Sequence, residues 1–531
     1  MAAQILVIRF GSLGDIILTS PTVLNLRIRY PNAHLTYLTR SRFRAVVELF
    51  EGVDEIVTLD DPGGIADLAR LIHKLSHRNF DLVVDLHGNM RSWLSRKLLD
   101  SSVVVQYPKR RFERQLIIRR HRFPDGAVHT IDMYNDCLKQ IGAIAPAFRP
   151  VVRSAGGVTM PIPKWRGWDC GRAIVIAPGA AHPNKQWPVK RFAELAGQLI
   201  DQHGVSIVWA VTDVDAGRSD LIGNLAADRF TELVSCPLDQ LATIIERASL
   251  TIANDSGIAH LSSSVGTPVL SLFGPTHPSL GFWPRGMHDR VIDVDEHCRP
   301  CSLHGKRSCY REQRFCLDRI SVEMVLDAAK KTLGETSDLF PALFVDRDGT
   351  ISEEKDFLSN PEDLQLMQGT VQALKLANRQ GYKIIVITNQ SGVARGLFGI
   401  NSVEQVNARL MEILDNEGVA IDGIYYCPHH PAGKIRKYSC ECGCRKPAAG
   451  MAEEACNQLG IDLRRSFVVG DKLDDYFFGH IIGAKSYLVR TGHGGRIVEK
   501  YGNTLADGTI RSNLLDAVEY HITNQQNRSL L

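Results

Sequence analysis

The sequence predicts an α/β protein of three successive units, the first two Rossmann-like. Three observations carry that expectation. The chain has 531 residues, too many for one core at about 150 residues per domain. Short apolar runs alternate with helical patterns along most of it, which implies parallel sheets with helices on their faces. The alternation also restarts, at "ILVIRF", "RAIVIAPGA" and "ALFVDRDGT".

In the first series, from Ile5 to about Phe148, "LTYLT", "EIVTL" and "FDLVVDLHG" are strand candidates. The Gly- and Pro-rich segment "PVVRSAGGVTMPIPKWRGWDCG" has no sustained period and predicts a linker. The second series continues through "VSIVWAV", "LTIANDSG" and "TPVLSLFGPT", then a cysteine-rich loop and the helix "SVEMVLDAAKKTL". The third, after "GETSDLFP", includes "KIIVITNQSG" and "SFVVGDK", and the polar end "TNQQNRSLL" predicts a frayed tail. The expected domains span residues 1–155, 170–335 and 340–525.

Composition narrows the function classes. Hydrophobic residues make up 44% and charged residues 23%, ordinary for a globular protein, and a net charge of +3 gives no reason to expect nucleic-acid binding. No run reaches the roughly 18 apolar residues of a membrane span, and no basic segment, apolar stretch and cleavage site open the chain. A cytoplasmic protein is expected. Of 12 cysteines, Cys298, Cys301, Cys309 and Cys316 form one group and Cys427, Cys440, Cys442 and Cys444 another. In that compartment such spacings favour metal over disulfides.

The third unit carries the clearest chemistry. "FVDRDGT" places Asp346 and Asp348 just after an apolar strand, where one carboxylate can attack as nucleophile while the other handles the proton. A divalent cation is needed to screen phosphate charge from that nucleophile, and Asp471 in "VVGDKLDD" is an available ligand. Thr388 and Asn389 in "ITNQSG", and Arg445 and Lys446 in "CRKP", can meet phosphate oxygens. In this order the motifs resemble the haloacid dehalogenase superfamily of phosphatases. Within it, "TNQSGVARG", "YYCPHHP", "CRKP" and "VGDKLDD" resemble the D-glycero-D-manno-heptose 1,7-bisphosphate 7-phosphatases, with histidinol phosphatases the nearest relatives, over about residues 340 to 495.

That resemblance implies an enzyme acting on heptose bisphosphate, with Asp346 as phosphorylated nucleophile and Asp348 as general acid/base. Asp346, the Asp348 carbonyl and Asp471 would hold Mg2+. Thr388 and Lys446 would steady the phosphoryl group, with Arg445 and Lys472 near the sugar phosphate. Cys427, His429, Cys442 and Cys444 supply a Cys3His set suited to structural Zn2+. His430 and Cys440 are further candidates, and the family's Cys-x-Cys pair before Arg-Lys-Pro points to Cys442.

The first unit opens on "RFGSLGDIILTSP", a strand, a glycine turn and a helix, with Asp15 at the helix start, where its carboxylate would repel a bound phosphate. A helix cap alone would explain that residue. In the second unit "ANDSGIAHLSSSVG" puts Asp255, Ser256, Gly257 and His260 at a helix start, where backbone N–H groups can hold a diphosphate, and Lys185 in "NKQWP" can neutralise it. With "DLHGNMRS" and "FGPT", these motifs resemble glycosyltransferase family 9, the lipopolysaccharide heptosyltransferases of GT-B fold, over roughly residues 4 to 333.

The resemblance implies that the first unit faces the acceptor and that Asp15 is the general base of an inverting transfer. Lys185, Ser256, Gly257 and His260 would bind the donor diphosphate, and Asp255 would orient the donor, with no DxD metal motif. The Arg-rich stretch "YPKRRFERQLIIRRHRF" can be a solvated face, a grip on an anionic lipid-linked acceptor or a contact with the inner membrane surface. The cysteines of "CRPCSLHGKRSCYREQRFC" have metal-like spacing at their CxxC start; free thiols are the expectation and zinc the alternative, and the resemblance implies no ligand role.

Together the resemblances imply a bifunctional enzyme of lipopolysaccharide-core biosynthesis. It would use a nucleotide-heptose, ADP-heptose before GDP-heptose, an anionic core acceptor and a heptose bisphosphate, without nucleic acid. Histidinol phosphate or another sugar phosphate, and a different or catalytically silent transferase half, are the alternatives.

Overall fold

The computed structural model describes residues 3–99, 101–121, 126–153, 173–211 and 231–530. The chain forms two compact units, Met1–Glu335 and Thr336–Leu531. The expected linker falls mostly outside the described residues.

The first unit holds two sheets. One contains β1 (Gln4–Ile8), β2 (His34–Arg40), β3 (Glu55–Leu59), β4 (Phe80–Asp85) and β5 (Ser101–Gln106) in the order β3-β2-β1-β4-β5. The other contains β6 (Ala173–Ala177), β7 (Ser206–Ala210), β8 (Thr231–Val234), β9 (Leu250–Asn254), β10 (Val269–Leu272) and β11 (Arg290–Ile292), in the order β11-β10-β9-β6-β7-β8. The second unit holds β12 (Ala342–Asp346), β13 (Lys383–Asn389), β14 (Gly423–Cys427), β15 (Phe467–Gly470), β16 (Lys485–Val489) and β17 (Ile510–Arg511), in the order β14-β13-β12-β15-β16-β17.

All these pairings are parallel; Ile5, for example, pairs with Leu35 on one side and Leu82 on the other. Every sheet starts in its middle and reverses direction beside its first strand. At β1/β4, β6/β9 and β12/β15 the connecting loops part, leaving a crevice at the strands' carboxyl ends. Those central strands are covered on both faces, so β6 and β12 are buried along their whole length and read as unbroken apolar runs.

The strands expected from the sequence coincide with β1, β2, β3, β4, β6, β7, β9, β10, β12, β13 and β15. Of the others, β11 and β17 have only three and two residues, too short for a periodic signal. The expected frayed end is instead part of a helix, Leu514–Leu530. Leu514, Ala517, Val518 and Ile522 anchor its first turns in the core, and the polar residues extend that helix. No helix among the described residues is long and apolar enough to cross a membrane.

Candidate active sites

In the first unit the crevices of the two sheets share one cavity of about 770 Å3. The loop after β1 leads into the helix Leu13–Ile17, and Ser12 caps it in an extended conformation. The Ser12 backbone N–H donates to Asp15 Oδ2 at 3.4 Å and Ser12 Oγ donates to the same oxygen at 3.0 Å, so Asp15 is part of a capping box. It is also more than that. The guanidinium of buried Arg9 lies 2.7 Å from the same oxygen, and the Tyr134 hydroxyl donates to Oδ1 at 3.4 Å. Burial alone would raise the Asp15 carboxyl; Arg9 and His304 outweigh it and hold the group below the usual carboxylate range.

Across the cavity, β9 ends at Asn254 and the helix Gly257–Ser264 begins behind Ser256. Its start meets the start of the Asp15 helix at glycine distances. A Cβ on Gly14 would lie 2.7 Å from His260 Cδ2, and one on Gly257 would lie 2.7 Å from the Leu13 side chain. Ser256 Oγ and His260 Nδ1 are buried with no hydrogen-bond partner, an arrangement a polar ligand would satisfy. Burial also pushes His260 down to about 4, so its ring is neutral at pH 7. Lys185 Nζ is 2.5 Å from Asp255 Oδ2, which also accepts from Thr276 Oγ1 at 2.6 Å. Asp255 therefore anchors Lys185.

Thus Asp15, Lys185, Asp255, Ser256, Gly257 and His260 all line one cavity. Arg9, Tyr134, His304 and Lys306, which carry no motif signal of their own in the sequence, line it too. Part of the Arg-rich stretch faces the cavity. Lys109, Arg111 and Arg114 border the cavity, with Arg114 donating to Thr130 Oγ1 at 2.8 Å, while Arg119 and Arg120 are exposed.

The second unit's site sits at the β12/β15 reversal and encloses only about 200 Å3. Asp346 ends β12, Thr388 and Asn389 end β13, and Asp471 follows β15. Lys446 Nζ reaches Asp346 Oδ1 at 2.7 Å, Asp475 Oδ1 at 2.6 Å and the Ile387 carbonyl at 2.9 Å. Asn389 holds the Lys446 backbone through hydrogen bonds of 3.1 and 3.0 Å, so its amide positions the lysine.

Asp348 is fixed from two sides. Buried Arg347 forks onto its two oxygens at 2.9 Å each, and Gln390 Nε2 donates to Oδ2 at 2.9 Å and to Thr388 Oγ1 at 2.8 Å. Arg445 and Lys472 line the cavity, and Lys472 Nζ is 3.0 Å from Glu354.

Behind the cavity the carboxylates crowd. Oxygens of Asp346, Asp471 and Asp475 lie within 4.8 Å of one another, and Asp471 Oδ1 is buried without a hydrogen-bond partner. Burial and the neighbouring Asp346 and Asp475 raise Asp471 to about 8 against the pull of Lys472. In Asp346 the balance is reversed: burial opposes ionisation, but Lys446 and Lys472 lower it below the usual range. Such a set, with one oxygen that lacks a hydrogen bond and meets Lys472 Nζ only at 3.6 Å, fits a divalent cation. Gly349 and Gly492, both at positive φ, give Asp471 its room: a Cβ on either would overlap its carboxylate. Asp475, Glu354 and His493 were not singled out from the sequence, although Asp475 stands within the quoted "VGDKLDD".

Beyond β14, the atoms of Cys427, His429, Cys442 and Cys444 form a metal-sized cluster. The sulfurs are 3.3 to 3.5 Å apart, and His429 Nδ1 is 3.7 Å from Cys427 Sγ and 3.4 Å from Cys444 Sγ. Cys440 is exposed and outside it, and His430 faces Arg395.

Comparison with known proteins separates the same two regions. Residues 68–310 match the family model for glycosyltransferase family 9 (heptosyltransferase), and residues 443–511 match a HAD-hydrolase-like model. The D-glycero-beta-D-manno-heptose-1,7-bisphosphate 7-phosphatase of Haemophilus ducreyi is 41% identical over 181 residues, covering 34% of this chain and 97% of that protein. Its counterpart in Photorhabdus laumondii is 42% identical over 154 residues, 29% of this chain and 81% of that protein. The crystal structure of a glycosyl transferase family 9 protein from Veillonella parvula shares the fold of the first region, with a TM-score of 0.50 at 23% identity over 63% of this chain and 98% of that one. The chain is therefore a fusion enzyme, a glycosyltransferase family 9 region joined to a C-terminal part that belongs to the D-glycero-β-D-manno-heptose-1,7-bisphosphate 7-phosphatase family.

Proposed function

We propose that this chain serves lipopolysaccharide-core biosynthesis twice, transferring a heptosyl group from ADP-heptose to an anionic lipid-linked core acceptor and removing the 7-phosphate from D-glycero-D-manno-heptose 1,7-bisphosphate. It works as two Rossmann-like domains, 1–155 and 170–335, followed by a phosphatase domain, 340–525. Its place is the cytoplasm, with the acceptor met at the inner membrane face. The observation that carries this reading is the pairing of two sites in one chain: a wide, cation-lined cleft that holds Asp15 and Asp255, each paired with a cation, and a narrow pocket around Asp346 and Asp348.

In the phosphatase, Asp346 attacks phosphorus and forms an aspartyl-phosphate while Asp348 protonates the departing sugar oxygen. Asp348, held by Arg347 and Gln390, then takes a proton from the water that hydrolyses the intermediate. Thr388 and Lys446 hold phosphoryl oxygens, and Arg445 and Lys472 meet the rest of the substrate. Mg2+ fits beside Asp346, the Asp348 carbonyl and Asp471, where it would supply charge neutralisation for the phosphoryl group. The Cys427 cluster has the Cys3His donor set and close to the size that Zn2+ takes, its sulfurs 3.3 to 3.5 Å apart against tetrahedral edges of about 3.8 Å for bonds of about 2.3 Å.

In the transferase, Asp15 removes the proton of the acceptor hydroxyl as that oxygen attacks the anomeric carbon. Arg9 keeps the carboxylate ionised and aimed. Lys185, Ser256, Gly257 and His260 receive the leaving diphosphate, Asp255 keeps Lys185 in place, and Lys109, Arg111 and Arg114 meet the anionic acceptor.

The test is to give the full-length protein with Mg2+ the heptose bisphosphate and histidinol phosphate separately, following which phosphate leaves by phosphorus NMR. Selective loss of the 7-phosphate is expected. Preference for histidinol phosphate would overturn the pathway.

A further inference from the structure

Neither activity uses the first cysteine group. Cys298, Cys301, Cys309 and Cys316 follow a Cys-x2-Cys-x7-Cys-x6-Cys spacing, and none is in a disulfide. They are brought together all the same: all four border one small cavity of about 10 Å3, room for a single ion or water. Cys301 Sγ donates to the Cys298 carbonyl at 3.4 Å, and the Arg311 guanidinium approaches Cys298 Sγ at 4.0 Å. Three of the groups bordering this space, Arg307, Arg311 and Arg314, are cations, which suits the net negative charge of four thiolates around a divalent ion.

The arch between Cys301 and Cys309 reaches the transferase cleft, which Leu303, His304 and Lys306 line. Gly305, at φ +71°, lies so close to the Lys185 stem that a Cβ would come 2.5 Å from Lys185 Cγ. Asn184 donates to the Arg307 carbonyl at 3.0 Å, and Arg314 donates to the Pro183 carbonyl at 3.0 Å. The cysteine loop therefore clasps the turn that presents Lys185.

We propose that Cys298, Cys301, Cys309 and Cys316 form a second thiolate site for a thiophilic metal ion, which clips this arch onto the Lys185 turn. The four sulfurs are spread more widely than the Cys427 set, no three of them lying within 4.8 Å of one another. Binding releases the thiol protons to solvent and draws the sulfurs to tetrahedral edges of about 3.8 Å. The metal is structural here, since four cysteines leave no open position.

The full-length protein is stripped of metal, reconstituted with zinc alone, desalted and analysed for metal by mass spectrometry. About two zinc ions per chain are expected in the wild type, one in Cys301→Ser/Cys309→Ser and one in Cys442→Ser/Cys444→Ser. A wild-type content equal to that of Cys301→Ser/Cys309→Ser would overturn the proposal. Because either variant can misfold, hydrogen exchange of the wild type is also compared with and without zinc. Slower exchange with zinc across residues 299–316 and the Lys185 turn is expected, and unchanged exchange in 299–316 would overturn it.

Discussion

The transferase cleft and the phosphatase pocket both lie where a parallel sheet reverses its strand order, yet they treat carboxylates in opposite ways. In the cleft each acid has its own cation, Arg9 for Asp15 and Lys185 for Asp255. In the pocket Asp346 and Asp475 share Lys446, and Asp471 keeps an oxygen with no hydrogen-bond partner. The cleft, at about 770 Å3 against about 200 Å3, has room for a nucleotide and an acceptor together. The contrast teaches that the same topology can build a balanced site that keeps one carboxylate ready as a base, or an acid-rich site that needs a cation.

The sharpest way to break the comparison is to remove proton transfer from one side. Asp348→Asn should lower phosphatase kcat by about 10²- to 10⁴-fold and leave transfer unchanged, as parallel assays of both reactions would show. Lys446→Met strips the shared cation. Removal of one partner from a buried pair costs about 3 to 5 kcal/mol, so denaturant unfolding followed at the second unit should show a loss of that order. At Lys185 the expected effect is smaller, because Asp255 holds it but other cations line the cleft. Lys185→Met should raise the donor KM about ten- to a hundredfold, the equivalent of one charge-assisted hydrogen bond of about 1.5 to 3 kcal/mol, with phosphatase kinetics unaltered.

The smallest effect is on stability against pH, and its sign differs between the units. Burial depresses His129 to about 3 and His260 to about 4, while the unfolded residues titrate near 6.5. The unfolded chain then binds more protons, so first-unit stability falls as pH drops below about 6.5, by up to about 1.4 kcal/mol per pH unit and histidine. In the second unit burial and mutual repulsion raise Asp471 to about 8 and Asp475 to about 6. There the folded state binds the extra protons, and with divalent cations chelated its stability rises as pH falls from 8 to 5. Hydrogen exchange resolved by unit across this range should show the two trends diverge.

Much of both sites was legible because their chemistry sits at strand ends. Asp346 closes an apolar run, as do Thr388 and Asn389, and the turn with Ser256 and Gly257 follows another. Less legible were groups that reach a site through packing: Tyr134 meets Asp15 from 119 residues away, and His304 arrives on a loop without periodicity. Charge sharing was also hidden. Nothing in "VGDKLDD" says that Asp475 turns inward to Lys446 while Asp471 lacks a hydrogen bond at one oxygen, because helix rotation against β15 decides it. The helical tail is hidden in the sequence for a related reason, since its polar residues continue a helix whose anchors lie upstream, at Leu514 to Ile522.

The central claim is that one chain carries two separate catalytic centres. The most direct test assays both reactions, heptosyl transfer from ADP-heptose and release of the 7-phosphate from heptose bisphosphate, on full-length Asp15→Asn and Asp346→Asn. The account predicts a reciprocal pattern, with Asp15→Asn losing transfer alone and Asp346→Asn losing hydrolysis alone. Full transfer by Asp15→Asn, or loss of both reactions in a folded single variant, would contradict it.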